Sequence, residues 1–205
     1  EMRGGEIWAV LGSSGAGKST VLNLLSRLNR PTNGVIELDG VDIANFRGEA
    51  LAGRVVAIPQ ELMIIQDTIR ENVVLGMRPA PADSEVLRAL EWAGASEFIA
   101  DLPDGLQTKI GETGRFLSGG QLRRVCLSRA FLRASARIYI FDEPTAGLDR
   151  GSRLKLLESF AKLKAQGALV IFSSHRADAA AFADRRLEFI GRGHWTEHTY
   201  RPAAA

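Results

Sequence analysis

The chain has 205 residues and a mass of 22.2 kDa, with 45% apolar and 24% charged residues. That is enough for one large domain or two small ones around a buried core, and a composition near the globular average excludes disordered and fibrous architectures. The 26 basic against 24 acidic residues leave a net charge of +2 and a pI near 8.9, which argues against nucleic-acid binding through a broad basic field and leaves only a local patch open.

Residues 6–11 form a short, mostly apolar run stopped by Gly12, and predict a buried strand. After a glycine-rich loop, Val21, Leu22, Leu24, Leu25 and Leu28 fall at helical spacing and predict a helix to Arg30, closed by Pro31. Residues 34–40 alternate between two glycines as a strand entering a turn, and 54–58 are a β-branched run ended by Pro59. From Asp67 to about Arg133 the pattern is helical, punctuated by Pro79, Pro81, Pro103 and several glycines. Within it Ser84 is the expected N-cap of a helix whose Val86, Leu87, Ala89, Leu90 and Trp92 share a face. Strand patterns return at 138–141 before Asp142, at 168–172 before Ser173, and at 187–190, separated by helical stretches at 152–164 and 177–183.

This alternation predicts an α/β fold with a mostly parallel sheet flanked by helices, into which the helical middle is inserted as a subdomain. The expected division is 1–66 and 134–205 as two parts of one core, with 67–133 as the helical subdomain. There is no tandem repeat and no low-complexity linker apart from the alanine tail 203–205. A single cysteine, Cys126, excludes an internal disulfide and a cysteine-based zinc cluster, and fits a reducing compartment. No apolar run approaches the roughly 18 residues that span a bilayer. The opening residues lack the basic start and apolar stretch of a signal peptide.

Gly12-Ser13-Ser14-Gly15-Ala16-Gly17-Lys18-Ser19 matches the phosphate-loop pattern, between a predicted strand and a predicted helix. Glycines let successive N–H groups turn toward phosphate oxygens, the helix adds its positive end, Lys18 supplies a point charge and Ser19 a hydroxyl for Mg²⁺. A flexible Gly/Ser loop is the bland alternative, but a chance match has odds of roughly one per cent over a chain of this length. Asp142-Glu143 closes the apolar strand 138–141 on the edge where parallel strands bind ligands. There Asp142 can hold Mg²⁺ and Glu143 can act as general base; alternatively, one of the two caps a helix or pairs with an arginine. Leu117-Ser118-Gly119-Gly120-Gln121 opens another helix, either as a second anion site or as an ordinary Ser118 N-cap with a flexible lead-in. Cys126 and Trp92 read as packing residues, and His194 and His198 as solvated tail residues.

In order and spacing, residues 12–20, Gln60, 117–121, Asp142, Glu143, 147–149 and His175 resemble the nucleotide-binding domain of ABC transporters, from about residue 5 to about residue 194. The resemblance implies a P-loop NTPase (RecA-like) core with a helical signature subdomain, ATP and Mg²⁺ as cofactors, and ATP hydrolysis. It implies that Gly12, Ser13, Ser14, Gly15, Ala16, Gly17, Lys18, Ser19 and Thr20 hold the phosphates. Ser19, Gln60 and Asp142 would hold Mg²⁺ directly or through water, and Gln60 would sense a transmembrane partner. Glu143 would be the catalytic base, His175 would touch the γ-phosphate, and Asp149 would lie at a dimer interface. Leu117, Ser118, Gly119, Gly120 and Gln121 would act in trans on the nucleotide of a second, head-to-tail domain in a homo- or heterodimer.

Residues 67–73, 101–106 and 111–114 resemble exporter-type segments, which implies a membrane domain on the same parent chain and a place on the cytoplasmic face of a membrane, this piece itself being soluble. Leu122-Arg123, Ser128 and the run 144–147 depart from the common pattern and leave the transported substrate open. Two other readings compete: a soluble ABC ATPase acting on DNA or ribosomes, and a regulatory half with a degenerate site. The first lacks visible coiled-coil or zinc modules, and intact Glu143 and His175 argue against the second. Only 17 residues precede Lys18, and Trp8 stands too close to the loop to be the family's adenine-stacking aromatic. The chain is therefore expected to hold most of such a domain, with weaker nucleotide affinity than a longer one and an exposed sheet edge.

Overall fold

The structure is a computed structural model that describes residues 1–111, 116–133, 135–191 and 194–199. Residues 112–114 of the exporter-like segment and the tail 203–205 lie outside the described residues. In chain order the elements are β1 (Ile7–Gly12), α1 (Lys18–Leu25), β2 (Glu37–Leu38), β3 (Val41–Asp42), α2 (Gly48–Ala52), β4 (Val55–Ile58), α3 (Ile69–Val73), α4 (Asp83–Trp92), α5 (Ser96–Ala100), α6 (Gly119–Phe131), β5 (Ile138–Phe141), α7 (Arg150–Ala165), β6 (Leu169–Ser174), α8 (Ala177–Ala180), β7 (Arg185–Gly191) and β8 (His194–Thr199). They form two units, one of Glu1–Ala57, Ser135–Pro144 and Phe160–Ala205, the other of Ile58–Ala134 and Thr145–Ser159.

The first unit is built on a sheet of order β4-β5-β6-β1-β7-β8, in which β5, β6, β1 and β7 pair in parallel and β8 lies antiparallel to β7. All six residues of β6 are buried, as continuous apolar strands in a parallel sheet are. Register sets the packing. Trp8 and Ile140 both lie beside Ile171, and with Val10, Leu169 and Leu22 of α1 they form one buried cluster. Alternation turns Phe141 and Phe172 the other way. Phe160 of α7 packs on both, with ring centroids 4.7 Å from Phe141 and 5.7 Å from Phe172. Asp184 pins the start of β1: its carboxylate accepts from Ile7 N at 2.8 Å, its N–H donates to Ile7 O at 2.9 Å, and Lys164 pairs with it.

The second unit has its own core, in which Ile69, Val73, Val86, Leu90, Ile99 and Val125 are buried. Buried Asn72 is satisfied there, accepting from Ile65 N and donating to Ile65 O and Thr68 O. Cys126 is 3% exposed, and burial pushes its thiol above the ordinary range. Trp92 packs edge-on against Phe131. Cys126 lies in the core and half-buried Trp92 serves packing, as their sequence positions predict.

Several local expectations are corrected. Helix α1 ends at Leu25 rather than Arg30, because Ser26 closes the last turn and Arg27 is left-handed at φ 59°, which leaves Leu28 exposed. The alternating run 34–40 contributes only two residues to β2, paired with β3 across a turn in which Asp39 and Gly40 both have positive φ, the pairing that suits a tight hairpin. Ser84 lies inside α4; the helix starts from Ala82, whose N–H donates to the Glu85 carboxylate at 3.0 Å, and Leu87 points away from the buried face. His194 and His198 are exposed, as expected, and lie in a strand, β8, that the sequence pattern did not predict. Among the described residues no helix is long and apolar enough to cross a membrane.

Phe160→Ala should lower the unfolding free energy by about 3–5 kcal/mol, the usual range for deleting a fully buried aromatic ring. Denaturant titration checks this; a loss below about 1 kcal/mol would mean that the aromatic stack is not part of the core.

Candidate active site

Strands β1, β5 and β6 run parallel, so their C-terminal ends open on one edge. Strand β1 ends at Gly12, β5 leads into Asp142 and Glu143, and β6 ends at Ser174 just before His175. In the loop after β1, Gly12, Gly15 and Gly17 have φ of 146°, 78° and 103°, conformations that side chains resist. Space at Gly12 is also tight, since a Cβ there would lie 3.1 Å from both Cβ and O of Phe189 on β7. The loop closes through Ala16 N donating to Ser13 O at 3.2 Å, and Gly17 is the N-cap of α1. The first N–H groups of α1 have no intrahelical partner, and their end of the helix favours negative charge. Ser13, Ser14, Ser19 and Thr20 are exposed.

Lys18 is the buried member of the loop, at 7% exposure. Its Nζ donates to Gly12 O at 2.9 Å and Ser13 O at 3.1 Å, and lies 3.7 Å from Glu143 Oε1. The other carboxylate oxygen of Glu143, Oε2, lies 3.0 Å from Nδ1 of His175, whose side chain is 61% exposed. Glu143 is thus held between a buried ammonium and an exposed imidazole. Its backbone is left-handed, at φ 47°, an uncommon state for a residue with a side chain. Buried Ser173 donates to Asp142 Oδ1 at 2.5 Å and accepts from Glu143 N at 2.7 Å. The structure therefore brings Lys18, Asp142, Glu143 and His175 together, and adds Ser173, which sequence reasoning missed. The available signal was a serine pair ending an otherwise apolar strand.

Asp142 and Ser19 are hard oxygen donors in the same unit, chemistry that suits Mg²⁺. Among the described residues, no group of three or more His, Cys, Asp or Glu is placed to hold a metal ion unaided. Mg²⁺ fits such a donor set, because it is commonly held by one or two carboxylates together with substrate phosphates.

The second unit carries Gln60, residues 117–121 and Asp149. Gln60 is exposed just beyond β4, and its carbonyl accepts from Arg123 Nη2 at 3.1 Å. Ser118 caps α6 reciprocally with Gln121: its hydroxyl accepts from Gln121 N at 3.2 Å, while Gln121 Oε1 accepts from Ser118 N at 2.9 Å. The two glycines behind Ser118 differ. A Cβ at Gly119 would meet nothing within 4 Å, whereas one at Gly120 would lie 2.8 Å from Gly147 O.

Asp149 precedes α7 and accepts from Ser152 N at 2.9 Å and Ser152 Oγ at 2.6 Å, with Arg124 Nη1 at 3.5 Å. The Ser152 hydroxyl and amide, and then the Arg124 charge, hold its carboxyl down at about 2, against an ordinary 3.8. Arg124 and Ser152, bonded to each other, are further residues the motif pattern did not reveal. A depressed carboxyl stabilises the fold fully above its unfolded value, and the gain is lost as pH falls through the folded value. Asp149→Ala should therefore cost about 1 kcal/mol near neutrality, a typical N-cap loss kept modest by the exposed side chain. The difference from wild type should vanish between about pH 4 and pH 2. Equal unfolding curves for the two proteins at pH 7 would disprove the cap.

Residues 1–146 match the family model described as ABC transporter. The chain is 38% identical over 181 residues to an ATP-dependent lipid A-core flippase of Alkalilimnicola ehrlichii, covering 88% of this chain and 30% of that protein. It is also 38% identical over 193 residues to a putative multidrug export ATP-binding/permease protein of Staphylococcus aureus, covering 94% of this chain and 33% of the relative. A bacterial Atm1-family ABC exporter solved with ATP bound superposes with a TM-score of 0.84 at 34% identity, over 92% of this chain and 32% of that one. The chain thus spans about a third of the length of these relatives. It belongs to the ABC transporter family, as a nucleotide-binding ATPase domain of the exporter type.

Proposed function

We propose that this chain binds ATP with Mg²⁺ and hydrolyses it to power an exporter, working as one of two head-to-tail nucleotide-binding domains beneath a membrane domain. The observation that carries the hydrolytic reading is Glu143, its carboxylate held by Lys18 on one oxygen and His175 on the other.

Residues 12–20 would wrap the phosphates with backbone N–H groups, and Lys18 would exchange its loop carbonyls for β- and γ-phosphate oxygens. Ser19 and Asp142 would hold Mg²⁺, with Gln60 joining them directly or through water. When bound, Mg²⁺ supplies positive charge against the β- and γ-phosphate oxygens. Glu143 takes a proton from the attacking water, whose oxygen bonds to the γ-phosphorus as the bond to the β–γ bridging oxygen breaks. The products are ADP and inorganic phosphate. With Nδ1 engaged by Glu143, the Nε2 of His175 is the atom left for the γ-phosphate.

The roles of the second unit concern the partner. Ser118, Gly119 and Gly120, with Leu117 and Gln121 framing them, would meet the other domain's nucleotide, and the open space at Gly119 supports close approach of a phosphate. Asp149 would lie at the dimer interface and Gln60 at the coupling to the membrane domain, on the cytoplasmic face. The fusion of ATP-binding and permease parts in the staphylococcal relative supports a membrane domain on the parent chain. Nucleic acid is not among the expected partners.

Glu143→Gln should keep ATP binding, lose turnover by about 10²–10⁴-fold, and accumulate as a nucleotide-bound dimer in sizing experiments. Wild-type hydrolysis by this variant would remove the base assignment. Lys18→Ala should abolish binding of a fluorescent ATP analogue, and an unchanged dissociation constant would refute the phosphate-loop role.

A further inference from the structure

We infer that Ser173 is a positioning residue for hydrolysis, a hydroxyl that sets both the Mg²⁺-facing carboxylate and the backbone of the catalytic base. The inference rests on the ATPase reading of Glu143 and Asp142. The β5–β6 ladder runs as far as the pair Phe141 and Phe172. Beyond it β5 leaves the sheet while β6 continues, so Ser173 stands where the next rung would be. It is fully buried in a strand whose preceding residues are all apolar, so its hydroxyl breaks the run that leads to it.

The hydroxyl uses its one proton on Asp142 Oδ1 and a lone pair on the N–H of Glu143. Both effects bear on the chemistry. With Oδ1 engaged by Ser173, Oδ2 is the oxygen of Asp142 left for a cation. The bond to the N–H of Glu143 supports the left-handed backbone that delivers its carboxylate to Lys18 and His175. Without the hydroxyl, a buried N–H loses its partner and the backbone at 143 is free to relax toward an ordinary conformation. The carboxylate then leaves its place by an amount to which positional catalysis is sensitive.

The test is Ser173→Ala in the intact chain, with three readouts. The Mg²⁺ concentration that half-saturates the binding of a fluorescent ATP analogue should rise about 10–100-fold, as for residues that orient a metal ligand, while binding in EDTA stays within about twofold. The kcat should fall by a similar factor with KM for ATP at saturating Mg²⁺ little changed. Hydrogen exchange of the Glu143 amide should accelerate. A purely structural serine would lower the melting temperature and leave the Mg²⁺ midpoint of the folded molecules alone. Where Ser173→Ala fails to fold, Ser173→Cys keeps the shape with a weak hydrogen-bonding group and should show the same shifts. A folded variant with the wild-type Mg²⁺ midpoint and amide protection overturns the inference. Binding and exchange need no turnover, so normal hydrolysis by Glu143→Gln would defeat the base reading and still leave Ser173 to be judged.

Discussion

Parallel hydrogen bonding of β1 with β6, and of β6 with β5, is the constraint on which the rest depends. Three strands that run the same way must end on the same edge, and each here ends in a chemically distinct segment: the glycine loop, the carboxylate pair, and the serine–histidine run. No residue of the loop is near Glu143 or His175 in sequence. Register alone converts the chain's distant segments into neighbours, while Asp184 fixes the start of β1 beside β7 by clamping both backbone groups of Ile7. The aromatic stack of Phe141, Phe160 and Phe172 packs β5 and β6 from one face.

A site of this kind gathers charge in a place with little water. Lys18, Asp142 and Glu143 are all buried, which is tolerable only because each has partners: carbonyls and a carboxylate for the lysine, a hydroxyl for Asp142, a hydroxyl and two cationic or polar side chains for Glu143. Removing one member of such a set leaves an uncompensated buried charge, which costs more than the pair contributes. Loss of function at these positions therefore has to be read together with the folded fraction.

How much of this was legible in the sequence depended on the range of the interaction. The phosphate loop, the apolar strands β5 and β6 and the Ser118 cap are written in consecutive or nearly consecutive residues, and composition reaches them. Strand β8 was not legible, because its residues are nearly all exposed and show no apolar alternation; backbone pairing with β7 and the Arg185–Glu197 ion pair hold it. The early end of α1 was hidden for a local reason: leucines continue at helical spacing to Leu28, but Arg27 turns left-handed first. Ser173 was hidden for a tertiary one, since its two partners lie 30 and 31 residues away and only strand pairing brings them together. In the second unit, 145–159 belongs with residues 58–134, a grouping that no periodicity in either segment announces.

The left-handed backbone at Glu143 has one further consequence. A residue with a Cβ in that region carries conformational strain of about 1–3 kcal/mol, whereas glycine carries almost none. Backbone preference and chemistry thus make opposite demands on position 143. The substitution that best suits the turn discards the carboxylate, and the residue that supplies the carboxylate keeps the turn under tension. Drift toward greater thermal stability would erode activity at this position first, so the strained turn marks where this domain's durability and its turnover compete.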